Sequence, residues 1–479
     1  MFFSRAPLLP CSRTLLFVLL LCIPSVVHTQ WESDVRLTFD PDSSLTYFNN
    51  TWCVASNGDT VHVVWFDKRD HCWEIYYKRS FDGGSGWGPD IRLTQDSANS
   101  YYPSVAVSGP EVHVVWDDAR RGPGPDIFYK RSLDGGSSWS PDIRLTNGTN
   151  VSWHPSVAVR GSSVHVVWDD WRDGDQEIYY KRSTDAGSTW GPDVRLTYAS
   201  DYSCFPSIAL SDSVVHVAWE DLRGGNERIF YRRSTDWGTS WSADTCLSSG
   251  AGGSCLPSVA VSGPNVHVAW QDARDRGWPF FELYYKRSTD GGLRWGPDVR
   301  LTQDTACSIG PSLAVSGSNI HLAWKDNRDG NYEIYYKHST DGGSTWGFDT
   351  RLTYDIAYSD IPAIAVSGVK VHVVWMDERP GNWEIFYKRN PTGNSEVEES
   401  SGSFYPLPSN LSFSVVPNPF TSFATLPGHE AERFALYDIS GKRVGSYKGD
   451  RVGEGLPAGV YFLRLEGKGD KPLRVVKLR

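Results

Sequence analysis

The chain has 479 residues, 13% of them aromatic, with 45 Gly, 28 Pro and 21 Trp, so it can bury a large core and is rich in turns, which reads as all-β. Its net charge is −10 and no run of Lys or Arg stands out, which argues against nucleic acid as a partner.

Residues 1–29 read as a signal peptide. Arg5 and Arg13 precede an apolar run from Leu15 to Val27, and the small Val27 and Thr29 place the cleavage near Thr29. The alternative is a membrane anchor, for which the run is short. Leu21, before Cys22, is too bulky for a lipoprotein cleavage site. Export permits disulfides. The cysteines that remain are Cys53, Cys72, Cys204, Cys246, Cys255 and Cys307. None shows CxxC spacing, so no metal is expected, and no cofactor either. Cys204–Cys255, its competitor Cys246–Cys255, and Cys53–Cys72 are the candidate pairs.

From residue 30 to 391 the chain repeats a β-type unit seven times. A run ending in Trp recurs at Trp65, Trp116, Trp168, Trp219, Trp270, Trp324 and Trp375. Each run alternates, as in residues 61–65, where His62 and Val64 face one way and Val61, Val63 and Trp65 the other. Before it lies Pro-Ser-Val-Ala-Val (103–107) or a variant. After it come Glu-Ile-Tyr-Tyr-Lys-Arg-Ser (177–183) and a short strand such as Asp-Val-Arg-Leu-Thr (193–197). Four short strands per unit, seven times over, predict a seven-bladed β-propeller, a ring that covers sheet edges and faces a lone sheet would expose.

Between the third and fourth strands sits S-x-D-x-G-x-x-W. Its acids are Asp82, Asp134, Asp185, Asp236, Asp290 and Asp341. The Asp can accept backbone N–H bonds in the turn, Gly supplies a positive φ, and Trp anchors the turn on the blade. The motif resembles the Asp-box, or BNR repeat, of the sialidase-like propellers, where it implies architecture rather than catalysis. The seventh unit lacks it: Asn390-Pro391-Thr392-Gly393 follows Arg389. The missing half stands at the other end, where Trp31–Thr38 matches Trp190–Thr197. The N-terminal segment is therefore expected to be the outer strand of the last blade.

Residues 392–409, rich in Ser, Glu, Gly and Pro, read as a linker. Residues 410–479 carry Pro417-Asn418-Pro419, then Leu436-Tyr437-Asp438, and near the end Gly459-Val460-Tyr461. This pattern resembles the C-terminal sorting domain of type IX secretion cargo. It implies a small β-sandwich and, as partner, the outer-membrane secretion machinery. A small glycan-binding sandwich is the alternative. With the leader, it implies a protein secreted or held on the outer-membrane surface.

The loop after each second strand repeats Asp-x-Arg, with Arg69, Arg120, Arg172, Arg223, Arg274, Arg328 and Arg379. The sialidase resemblance implies three arginines gripping a substrate carboxylate, beside an acid and a Tyr–Glu pair. Guanidinium suits a carboxylate. The other reading makes each Arg a bridge between its own blade's Asp and the acid opening its third strand, because seven identical units give seven identical environments. The chain also lacks the family's Arg-Ile-Pro motif, and that family's propeller has six blades. Departures from the repeat supply further candidates, Trp73, Trp153, Trp171 and Trp278, as aromatics that stack on sugar rings. The expectation is a monomeric propeller recognising an extracellular glycan or surface protein. The alternative is an exo-sialidase or related glycoside hydrolase.

Overall fold

The computed structural model describes residues 31–46 and 53–393, apart from 123, 148–149, 251 and 304–305, together with parts of 423–477. The expected signal peptide and most of the expected linker lie outside the described residues. Two compact units emerge, 1–396 and 397–479.

The first unit is a ring of seven antiparallel sheets, and every regular element among the described residues is a strand. Blade 3 shows the plan: Ser152–Arg160 lines the axis, followed outward by Ser163–Asp170, Glu177–Ser183 and the short Val194–Arg195. Blade 1 splits its first strand into Ser44–Leu45 and Val54–Asn57, both paired to Thr60–Asp67.

The alternation read from the sequence becomes packing between blades. Val164, Val166 and Trp168 pack on Val115, Ile127 and Tyr129 of blade 2. Val167 and Ile178 face blade 4, against Ile208, Val215 and Trp219. Trp168 and its six equivalents are fully buried. At ~25 cal/mol per Å² over about 150–250 Å², each contributes about 4–6 kcal/mol before ordering costs. The recurrent histidines sit beneath: His165 Nδ1 and the Tyr180 hydroxyl are hydrogen-bonded at 2.6 Å, and the other six blades repeat the pair.

Closure follows the expectation. Val35 and Arg36 pair with Tyr387 and Phe386, completing blade 7. Arg379 Nη1 donates to Asp34 at 2.7 Å, and Trp31 meets Tyr336 edge-on at 4.8 Å. In place of the missing turn motif, Asn390 Oδ1 accepts the N–H groups of Thr392 and Gly393, each at 3.0 Å.

The second unit contains a four-stranded antiparallel sheet, ordered Arg443–Lys448, Arg433–Asp438, Gly459–Leu465 and Leu473–Lys477. Leu426, Phe434, Leu436, Val452 and Leu463 form its core.

Candidate functional site

The propeller has two faces, and chemistry separates them. One carries the S-x-D-x-G-x-x-W turns. Asp134 Oδ1 accepts the N–H groups of Ser137 and Ser138 at 2.9 and 2.8 Å and the Ser132 hydroxyl at 2.7 Å. The Ser138 hydroxyl on Oδ2, with these donors, holds the carboxyl well below the usual carboxylate range. The glycine serves more than its φ of 85°: a Cβ on Gly136 would lie 2.1 Å from the Tyr77 hydroxyl of blade 1. Trp139 meets that same Tyr77 edge-on at 4.9 Å. The Trp thus anchors its turn on the preceding blade, where its own blade was expected. Gly84, Gly187, Gly238, Gly292 and Gly343 repeat the fit, so Asp82, Asp185, Asp236, Asp290 and Asp341 hold equivalent blade-to-blade clamps.

The opposite face carries the Asp-x-Arg loops. Arg172 donates from Nε to Asp170 Oδ1 at 2.8 Å and from Nη2 to Oδ2 at 2.6 Å. Asp170 also accepts Trp168 Nε1, the Ser152 hydroxyl and the Arg172 N–H. Burial raises the Asp170 pKa, but the Arg172 and Trp168 donors outweigh it and leave the carboxyl lowered. The third arm, Nη1, reaches Asp193, just before the fourth strand, at 2.6 Å, not the acid opening the third strand. That acid, Glu177, is taken instead by Arg195 at 2.5 Å. The arrangement repeats for Arg69 with Asp90, Arg120 with Asp142, Arg223 with Asp244, Arg274 with Asp298, Arg328 with Asp349 and Arg379 with Asp34. Each guanidinium is engaged by at least two carboxylates of its own blade, Arg120 by Asp96 as well at 2.8 Å, and its plane lies over a strand-three aromatic, 4.3 Å away at Tyr179.

Between the loops and the axis the blades stop repeating. A bulge in each first strand of blades 2 to 7 puts a residue at positive φ: Tyr102, His154, Phe205, Leu256, Gly310 and Ile361. Level with the bulge, the residue between the constant Trp and the constant Asp is Phe66, Asp117, Asp169, Glu220, Gln271, Lys325 and Met376 in turn. These positions form a tier just above an axial cavity of about 240 Å³ lined by first-strand residues such as Ala106, Ala158 and Ala260.

Three tier residues are tied to the next blade's backbone. Asp169 accepts the Phe205 N–H at 3.3 Å, Glu220 that of Leu256 at 3.3 Å, and Gln271 that of Gly310 at 3.0 Å. Asp169 is further held by Gln176 at 2.5 Å and lies 2.8 Å from His154 Nδ1. Asp117 lacks such a tie. The residue is 1% exposed and Oδ1 has no hydrogen-bond partner. By strand alternation it shares the face of Val115, toward blade 3 and Asp169. Burial, with the charge of Asp169 adding, pushes the Asp117 pKa well above the carboxylate range. Burial and the Glu227 charge push Glu220 up to about 8, although the residue keeps part of its surface open. Across the axis, Lys325 is paired with Asp360 at 2.7 Å. The six described cysteines are unbridged, with Cys204 and Cys255 in this tier on adjacent blades.

The predicted tryptophans divide. Trp153 pairs with Asp169 across the bulge and belongs to the tier. Trp73 packs against Phe66 at 5.2 Å, and Trp171 against Tyr202 at 5.5 Å. Trp278 stands on the blade 5 loop, 76% exposed. Asp117, Asp169 and Glu220 escaped the sequence reading because they lie inside the repeat unit. The trace they leave is a position that takes six residue types in seven copies while its neighbours on both sides stay fixed.

No protein-family model matches the chain, and no curated protein matches it. Among solved structures, an ulvan lyase of polysaccharide lyase family PL25, bound to -[GlcA(1-4)Rha3S]-, is 13% identical with a TM-score of 0.54, over 74% of this chain and 95% of that one. The polysaccharide lyase Uly1 is 11% identical with a TM-score of 0.52, over 76% of this chain and 100% of that one. These likenesses concern the fold, an all-β seven-bladed propeller, and the neighbours are carbohydrate-active enzymes.

Proposed function

We propose that this chain is a glycan-recognition propeller of the cell exterior, with its ligand seat in the axial tier on the face of the Asp-x-Arg loops. The observation that carries the reading is that none of the seven tier residues belongs to the repeated ion network, and the seven blades present six different residue types there. A scaffold position repeats with the scaffold; a ligand seat needs different groups from different directions. Partly exposed Tyr101, Tyr102, Trp153 and Phe205 supply stacking surfaces, and Asp117, Asp169 and Glu220 supply hydrogen-bonding groups. The carbohydrate-active neighbours agree in kind, through fold alone.

The rival reading, an exo-sialidase or related hydrolase, draws support from the differently tuned carboxyls of the tier. Its three-arginine clamp is where it weakens, since the loop arginines are already engaged by at least two carboxylates each. The exterior location rests on the N-terminal apolar run and on the likeness of the C-terminal region to type IX sorting domains. Calorimetric titration of the purified propeller with a panel of oligosaccharides, beside a fluorogenic sialoside assay, tests the reading. Binding lost in Trp153→Ala with the melting temperature kept, and no sialoside turnover, supports it. Binding that ignores every tier substitution overturns it.

A further inference from the structure

Resting on that reading, we infer that the axial tier selects a cationic sugar, a glycan unit bearing a free amine, over neutral and acidic ones. The argument is one of charge and partnership. Asp117, Asp169, Glu220 and Glu227 gather on blades 2 to 4, and the aromatic rings of Tyr102, His154 and Phe205 run beside them, at centroid spacings of 5.4 and 4.5 Å. The other titratable groups facing this part of the tier are Tyr101, His154, Cys204 and Cys255. Among the described residues of the tier the one lysine or arginine, Lys325, is on the far side and paired with Asp360. Lys68, Arg228 and Arg276 belong to the loops and third-strand openings outside the tier. An acidic sugar would therefore bring its carboxylate toward carboxyl groups with no unengaged cation to receive it.

The buried Asp117 carboxyl gives the inference its direction. Its equivalents in blades 3 to 5 each accept a backbone N–H from the next blade, whereas Asp117 Oδ1 has no donor. A carboxyl buried with one oxygen lacking a donor favours its protonated form, since burial outweighs the hydrogen bond from its own backbone N–H, in keeping with its raised pKa. An ammonium group beside it supplies both the donor and the counter-charge, and aromatic faces add cation–π attraction. Binding then drives the proton off: the carboxyl O–H bond breaks, the proton leaves to buffer, and the carboxylate pairs with the ammonium.

The test titrates the full-length mature protein with three hexasaccharides: chitosan with free amines, its fully N-acetylated counterpart, and oligogalacturonate. Expected are at least tenfold tighter binding of the free-amine form, weakening with salt, and net proton release, read from titrations in buffers of different ionisation enthalpy. Asp117→Asn and Glu220→Gln, each checked for an unchanged melting temperature or better, should shrink the amine preference, and Asp117→Asn should reduce the proton release. Equal or tighter binding of the N-acetylated or acidic form overturns this inference and leaves glycan recognition standing. Binding of hexalysine with no binding of any sugar overturns the glycan reading itself, and binding of none of the four overturns both.

Discussion

The two faces of the ring are built on opposite rules. On the face of the S-x-D-x-G-x-x-W turns, six blades repeat the same carboxylate–N–H turn and the same glycine against the preceding blade's Tyr hydroxyl. At the axial tier of the other face no two neighbouring blades present the same set of groups. Their responses to protons are opposed as well. The turn carboxyls and the buried histidines have their pKa values lowered, whereas burial raises those of Asp117 and Glu220. Repetition here marks what holds the ring together, and the loss of repetition marks where the ring is offered for use.

Removing the ring's seam is the severest test of the repeating part. Deletion of residues 31–38 takes away the Val35–Arg36 strand, the Trp31–Tyr336 contact and the Asp34 partner of Arg379. Differential scanning calorimetry should show loss of the propeller's main transition, not of one blade's worth of enthalpy. A retained transition with a slightly lower midpoint would mean that blade 7 closes without the N-terminal strand.

Acid should unfold the scaffold through its histidine tier. Burial, with a nearby arginine adding, depresses His62, His267 and His372 to about 4 and His165 and His216 to about 3. These groups are neutral in the fold and titrate at ~6.5 when unfolded, so their stabilisation is complete above that value. As pH falls from about 6.5 toward 4 the unfolded chain takes up more protons. Each site then loses up to ~1.4 kcal/mol per pH unit. Melting temperatures measured from pH 7 to 4.5 should fall steeply. His165→Gln should cost stability at pH 7 and progressively less at pH 5; a cost independent of pH would refute the buried neutral histidine.

The loop arginines should come next in size, and should be equal. Arg172→Ala leaves the buried Asp170 carboxylate without its cation, a loss of about 3–5 kcal/mol. Arg328→Ala should match it, since Asp326 and Asp349 repeat the surroundings. Chemical denaturation of the two variants checks this; a large inequality would show that one blade's arginine does something the others do not.

Much of this was legible in the sequence because a period is legible. The seven Trp positions, the Asp-x-Arg loops and the match of Trp31–Thr38 to Trp190–Thr197 gave the blade count and the closure. Contacts that leave the period were harder. Asp193 stands in a Pro-Asp step that recurs before the fourth strand, yet only the folded path brings it back to the Arg172 loop. Glu177, nearer in sequence, was the expected partner. The turn Trp reaches the preceding blade for a similar reason, since pairing within a unit says nothing of how neighbouring units nest. The acids of the tier were hardest, because an Asp one residue from a constant Asp looks like more of the same until burial and partners tell them apart.

The smallest effect has the most diagnostic sign. Asp117 keeps its proton in the fold and loses it, at ~3.9, when unfolded, so the folded state binds more protons and its stability falls as pH rises through that value toward the raised folded pKa. Asp117→Asn keeps the shape, carries no charge and has no proton to hold. The variant should match the parent near pH 4 and exceed it at pH 7 by about 1–2 kcal/mol, the scale of relieving a buried group that lacks a partner. Denaturant midpoints at the two pH values measure the difference. A gain that grows with pH, alongside weakened glycan binding, marks Asp117 as a group kept for a ligand at the expense of the fold. A loss at both pH values would place Asp117 with the scaffold, and the distinction between the two faces would then fail at the tier's central residue.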